Sequence, residues 1–216
     1  MGCFTVADCK TSRELFELWQ EAHIEEEGND TIPKKDGLPL IAKHNFIADG
    51  CLNPNSETAK YLYILKESNQ SKQLDCGAGI HYGALEWRRS GTSLAKRQNT
   101  KMLKLLSKLE RTDISPLNLA VININKRGGY SFCDEEAMKA YGRKYAAFIK
   151  RQIEIISPSK VICANTTFDI VARIYGVSVD KQTLRFEIEG VDFFRWFHPR
   201  AAKSYQEFEN RFVCAK

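Results

Sequence analysis

The chain has 216 residues, of which 43% are hydrophobic and 27% charged, which is the balance of a soluble globular domain with a sizeable core. No apolar run approaches the roughly 18 residues that a membrane-spanning helix needs, and the opening MGCFTVADCK lacks the basic and apolar regions of a secretory signal, so a cytoplasmic protein is expected. Seven cysteines, an odd number without a CxxC pair, argue against a disulfide framework or a zinc site. The excess of 32 Lys and Arg over 27 Asp and Glu permits nucleic-acid binding without requiring it.

In chain order, TSRELFELWQEAHIEEE (residues 11–27) has apolar residues at helical spacing, with Thr11 or Ser12 as cap. A polar stretch containing HNFIADGCLNP follows to about residue 59, read as loop with room for a short strand. YLYILKES is a compact apolar run of strand type. Residues 69–91 hold several glycines and read mainly as loop, and 94–110 as a helix. From Glu86 to Lys108 one acid faces Arg88, Arg89, Lys96, Arg97, Lys101, Lys104 and Lys108. Such a cluster is either a solvated helix face or a surface that meets phosphate.

NLAVININK is a second strand, and RGGYSFCD a turn or loop. Asp134 then caps one long helix, EEAMKAYGRKYAAFIKRQIEIIS, which Pro158 ends. KVICAN is a third strand and TFDIVARIYG a short helix closed by Gly176. QTLRFEIEGVDFFRWF supplies one or two strands, and SYQEFENRFVCA a final helix. Strands alternating with helices predict a single-domain, three-layer α/β/α fold with a mostly parallel central sheet. Residues 1–59 form an N-terminal extension on a core of 60–205.

In such a sheet ligands bind beyond the carboxyl ends of the strands. The polar residues that end each apolar run are therefore the candidates. They are Lys66-Glu67-Ser68-Asn69, Asn123-Ile124-Asn125-Lys126-Arg127, Asn165-Thr166-Thr167 and His198-Pro199-Arg200. Together they bring a carboxylate, carboxamides, cations and an imidazole to one rim.

These motifs resemble the uracil-DNA glycosylase superfamily. YLYILKESNQ is similar to its first motif, with Glu67 at the acidic position. LAVININK resembles the strand that carries the base-reading Asn followed three residues on by Lys, at Asn123 and Lys126. KVICANTTFDIVARIYG resembles the next strand and helix, and WFHPRA the closing His-Pro motif, with His198 at the catalytic histidine. The order DG, LKE, N-x-x-K-x-G-G, RQI is similar to poorly characterised bacterial and phage members. Lys66, Ser68 and Asn69 depart from the family's Gly, Ala or Asp, and Pro; Arg200 follows Pro199 where uracil enzymes have Ser; the iron-sulfur cysteines are missing.

The resemblance implies a uracil-DNA-glycosylase-like fold and a metal-independent, cofactor-free, monomeric DNA glycosylase that acts on a flipped-out base. Glu67 would stabilise the sugar cation and orient water, and His198 would stabilise the departing base. Asn123 would read the base, with Ser68, Asn69, Tyr82 and Asn165 lining the pocket. Lys126, Arg127, Arg200, Lys203, Arg88, Arg89, Lys96 and Arg97 would meet DNA. The altered first motif points to uracil or another modified pyrimidine, such as a bulky 5-substituted base of phage DNA. The alternative is an inactive module of the same descent that binds nucleic acid or a partner protein.

Overall fold

The computed structural model describes residues 4–27, 30–32, 41–69, 79–90, 93–129, 134–164 and 166–196; at some positions within these, including Glu67, Ser68, Asn69, Lys96 and Arg97, it describes the backbone alone. The first helix, α1, covers Ser12–Glu27. Thr11 starts it with a reciprocal cap: its hydroxyl accepts from Glu14 N at 3.2 Å, and the Glu14 carboxylate accepts from Thr11 N at 3.1 Å. Among its described residues the polar stretch that follows holds four two-residue strands, β1 (Thr31–Ile32), β2 (Ile41–Ala42), β3 (Phe46–Ile47) and β4 (Gly50–Cys51).

Next come β5 (Tyr61–Asn69), β6 (Ile80–His81), α2 (Gly83–Arg89) and α3 (Ser93–Glu110). The expectation of a loop over 69–91 is thus corrected at its second half, where α2 carries Arg88 and Arg89. Strand β7 runs from Leu119 to Gly129, through the residues expected to turn. It does so because β5 continues beside it: Glu67 lies opposite Asn125, and after a shift of register Asn69 lies opposite Gly129.

The expected single helix after Asp134 is two, α4 (Glu135–Lys144) and α5 (Ala146–Ile156), divided at Tyr145. Asp134 caps α4 as expected, its Oδ1 accepting from Glu136 N and Ala137 N, both at 3.0 Å. The break falls where the Tyr145 ring packs on His23 and Tyr141, at centroid distances of 4.8 and 4.6 Å. The chain ends its described part with β8 (Lys160–Ala164), α6 (Thr166–Ile174) and the hairpin β9 (Arg185–Ile188) and β10 (Val191–Trp196). The expected C-terminal helix lies outside the described residues.

The central sheet has the order β4-β7-β5-β8-β10-β9. Its four inner strands are parallel, and β4 and β9 are antiparallel edges. Period-two alternation divides its side chains between two layers. Leu62, Ile64, Ala120, Ile122, Ile124, Val161, Cys163 and Phe193 face α1, α4, α5 and α6. Tyr61, Tyr63, Leu65, Leu119, Val121, Ile162, Ala164 and Phe194 face α3. The protein is therefore a mixed α/β fold with helices on both faces of a mostly parallel sheet.

One close approach depends on a missing side chain. A Cβ at Gly142 in α4 would stand 2.4 Å from the Ile170 Cγ2 of α6. Alanine is the better helix former by about 0.8–1.0 kcal/mol, but forcing a methyl into a packed contact costs about 1–3 kcal/mol. Gly142→Ala should lower the midpoint of thermal unfolding by a few degrees. A raised midpoint would show that α4 and α6 have room to part.

Candidate functional site

The chain lays down β5, places β7 on one side of it, then crosses to place β8 on the other. That reversal opens a crevice at the carboxyl ends of β5 and β8, the place where such sheets take ligands. Glu135, at the start of α4, spans it. Its Oε1 accepts from Thr166 Oγ1 at 2.7 Å and from Lys66 Nζ at 3.2 Å, which ties the end of β5 to the start of α6. These two bonds, the Thr166 one first, hold the Glu135 carboxyl below the usual glutamate range.

Beside the crevice, at the end of β7, lies a buried polar cluster centred on Asp49. Its Oδ1 accepts from Lys126 Nζ at 2.5 Å and from Gln152 Nε2 at 3.0 Å. Its Oδ2 accepts from Asn123 N at 2.6 Å and Asn123 Nδ2 at 3.1 Å. Asp49 directly precedes β4, whose Gly50 and Cys51 pair with Val121 and Ala120. Its carboxylate thus takes over, one step beyond β4, the hydrogen bonding to the backbone of β7. Gly50 makes the turn-in feasible, because its φ of 149° is a conformation that side chains disfavour.

Lys126 corrects an expectation. Its side chain has no solvent exposure, so it meets no phosphate; its ammonium pairs with Asp49 and lies 5.3 Å from the Trp19 ring centroid. Burial pushes this ammonium below the ordinary lysine value, and the Asp49 charge opposes that shift. Further back, His23 faces the Asn45 carbonyl oxygen through Nδ1 at 3.1 Å, so Nδ1 must carry the proton. Nε2 then accepts from the Tyr141 hydroxyl at 2.8 Å, and the Tyr141 oxygen accepts from Lys126 N at 3.3 Å. Side chains from α1 and α4 thereby fix the backbone of β7 where the cluster needs it.

The other expected residues divide into three groups. Asn123 is 5% exposed and anchored as described. Asn125 closes a local turn, its Nδ2 donating to Gly128 O at 3.3 Å and its Oδ1 accepting from Arg127 N at 3.0 Å. The Arg127 guanidinium is half-buried and lies over the Tyr141 and Tyr145 rings, 4.8 and 5.6 Å from their centroids. Arg88 is half-buried. Arg89 spends donors on the Cys51 carbonyl oxygen, from Nε at 3.1 Å and from one terminal nitrogen at 2.7 Å.

Tyr82 is 38% exposed and lines a cleft of about 610 Å³ together with Asp49, Arg13, Glu17, Glu57 and Arg89. Asp49 is thus shared between this cleft and the Asn123 cluster. Glu67, Ser68 and Asn69 are placed by backbone at the end of β5, and Lys96 and Arg97 by backbone in α3, while their side chains lie outside the description. Asn165, His198, Arg200 and Lys203 lie outside the described residues.

Sequence reasoning missed Asp49, Gln152 and Glu135 as site residues. Asp49 and Gln152 were visible only as letters of the DG and RQI motifs, and the motif residues Asn123, Lys126 and Gln152 converge on the carboxylate of the fourth, Asp49. No protein-family model matches the sequence, and no curated protein matches it. Among the described residues no group of His, Cys, Asp or Glu is arranged to hold a metal ion, and no helix is long and apolar enough to cross a membrane.

Removing one partner of a buried ion pair strands the other charge, at a cost of about 3–5 kcal/mol. Lys126→Met should therefore destabilise strongly in denaturant titration, and Lys126→Met with Asp49→Asn should recover much of the loss. A Lys126→Met protein of undiminished stability would place the ammonium in water. Glu135 has the opposite setting, a lowered carboxyl whose stabilisation is complete above the unfolded glutamate value and lost as pH falls through the lowered one. Glu135→Gln should lower the unfolding midpoint at pH 7 but leave it unchanged near pH 2. An equal loss at both would mean that the Glu135 charge plays no part.

Proposed function

We propose that this protein is a DNA glycosylase of uracil-DNA-glycosylase-like fold that hydrolyses the N-glycosidic bond of a flipped-out pyrimidine, uracil or a bulkier 5-modified base. The observation that carries the reading is the convergence of Asp49, Asn123, Lys126 and Gln152 at the carboxyl end of β7, next to the crevice between β5 and β8. These residues come from three segments far apart in sequence. A carboxamide held from behind by a buried ion pair suits the reading of a base edge, because a site built to hydrogen-bond its substrate rejects analogues that leave it unpaired.

In this reading Glu67, on the adjacent strand at the register of Asn125, lies beside the sugar. The glycosidic bond breaks with its electron pair leaving on the base. The Glu67 carboxylate stabilises the sugar cation and orients water, whose oxygen bonds to C1′ and whose proton passes to solvent through the carboxylate. His198 donates a hydrogen bond to the base oxygen on which negative charge collects. The base is reached by flipping it from the duplex or by using a single strand. Among the basic residues Lys96 and Arg97 on α3, with Arg200 and Lys203, remain the candidates for phosphate contacts.

The test is an incubation with oligonucleotides carrying a panel of modified pyrimidines, followed by alkaline cleavage and mass analysis of the released base. Glu67→Gln and His198→Ala should each lower single-turnover release by about 10²–10³ while DNA binding changes little. No release from any member of the panel, or release that both variants leave intact, would overturn the assignment.

A further inference from the structure

Helices α4 and α6 both start at the crevice, where Glu135 accepts from Thr166, and they approach closely again at Gly142 and Ile170. Beside that contact lies a pocket of about 250 Å³. Gly142 and Ala146 line it from one side, Ile170 and Ile174 from the other. Each pair is four residues apart, the spacing that returns a helix to the same face. Gly142 has no side chain and Ala146 reaches no further than a methyl, so the space next to the two isoleucines stays open and apolar.

Four charged residues line the same pocket: Lys139, Arg143, Asp169 and Arg173. Two of them are already matched. The Asp169 carboxylate accepts from a terminal nitrogen of Arg195 at 2.7 Å, and Lys139 Nζ donates to Glu136 at 2.6 Å. Arg143 and Arg173 are exposed, and neither guanidinium has a hydrogen-bond or ion-pair partner among the described residues. The bond to Glu136 raises the Lys139 ammonium above the ordinary lysine value, and the nearby Arg173 charge opposes that shift. An apolar pocket under two unmatched cations calls for an occupant with an apolar body and negative charge.

The volume narrows the choice. Pockets that take a whole small molecule span about 300–1,000 Å³. This one is smaller and suits a single inserted side chain. Nucleic acid fits poorly too. Along α4, Glu135 and Glu136 come between the crevice and Arg143, so phosphates leaving the crevice would meet carboxylates first. We propose that the pocket between α4 and α6 is a docking site for a partner protein, which inserts one bulky apolar side chain and meets Arg143 and Arg173 with flanking carboxylates. A guanidinium fork takes a carboxylate through two parallel bonds, and arginines beside a buried apolar anchor are the usual centre of an interface. The site does not depend on the glycosylase reading. A partner held there leaves the crevice between β5 and β8 open.

The probes are short peptides of glutamates around one central residue, Phe, Leu or Trp, titrated into the isotope-labelled full chain and followed by NMR. The backbone amide signals of Gly142, Ala146, Ile170 and Ile174 should move and saturate. A peptide with Ala at the centre, or with lysines in place of the glutamates around Phe, should bind about tenfold more weakly or not at all. The double variant Arg143→Glu with Arg173→Glu should lose about tenfold in affinity. Ala146→Leu, which fills the pocket from within, should lose as much at unchanged charge. Should Ala146→Leu fail to fold, the double variant, made at two exposed and unbonded positions, still decides. No movement of these signals with any of the three apolar-centred peptides would overturn the proposal. So would equal binding of the alanine peptide, or binding that the double variant leaves intact. Movement of the same signals by single-stranded or duplex DNA, but not by the peptides, would overturn it in favour of a phosphate track.

Discussion

The buried carboxylate of Asp49 is the constraint around which this end of the molecule is arranged. An ion taken out of water is costly, and its attraction to a buried partner repays that cost only when its remaining lone pairs are also satisfied. Asp49, just before β4, receives four donor contacts from two other segments: from β7 one backbone N–H and two side chains, and from α5 one side chain. Each segment must be in place before the charge can be buried. The cluster therefore specifies how β4, β7 and α5 meet more stringently than apolar contact could, since apolar contact has no direction.

This also explains the extra-long reach of β7. Beyond Ile124 its side chains no longer pack only as core: Lys126 turns inward to Asp49, and Arg127 lies over the Tyr141 and Tyr145 rings. Asn125 closes the turn between them through Gly128 and Arg127. Strand β5 follows through a shift of register. Two cations that read as surface groups are in fact what holds the strand end in place.

Much of the fold was legible because apolar runs and their spacing are local. The strands at 61–68, 119–126 and 160–164, the capped helix at 135 and the helix at 12–27 were all visible as periodic patterns. What was not legible depends on pairing. The strand character of Arg127 to Gly129 comes from β5 beside it, and α2 sits in a segment whose glycines suggest loop. Lys126 is the clearest case. A lysine after a run of apolar and amide residues is usually solvated, and nothing in its neighbourhood reveals an aspartate 77 positions earlier that lies 2.5 Å away. Periodicity tells which face a residue takes and is silent about a partner brought by tertiary structure.

The same reasoning separates two asparagines that sequence alone could not rank. Asn123 and Asn125 are two apart on one strand and so share a face. The difference lies in what holds each amide. Asn125 is bonded to the turn that follows it, donating to one backbone carbonyl and accepting from one backbone N–H. Those bonds lie within the last residues of β7 itself. Asn123 is held by a charged group from outside the strand, which fixes the direction of its amide without belonging to the local backbone pattern. A binding residue has to be oriented by its support and must still present an edge to its ligand, and it is best placed on a rigid element. Asp49 supplies that support to Asn123 from behind, on the sheet rather than on a loop, and this favours Asn123 over Asn125 for the proposed reading of a base.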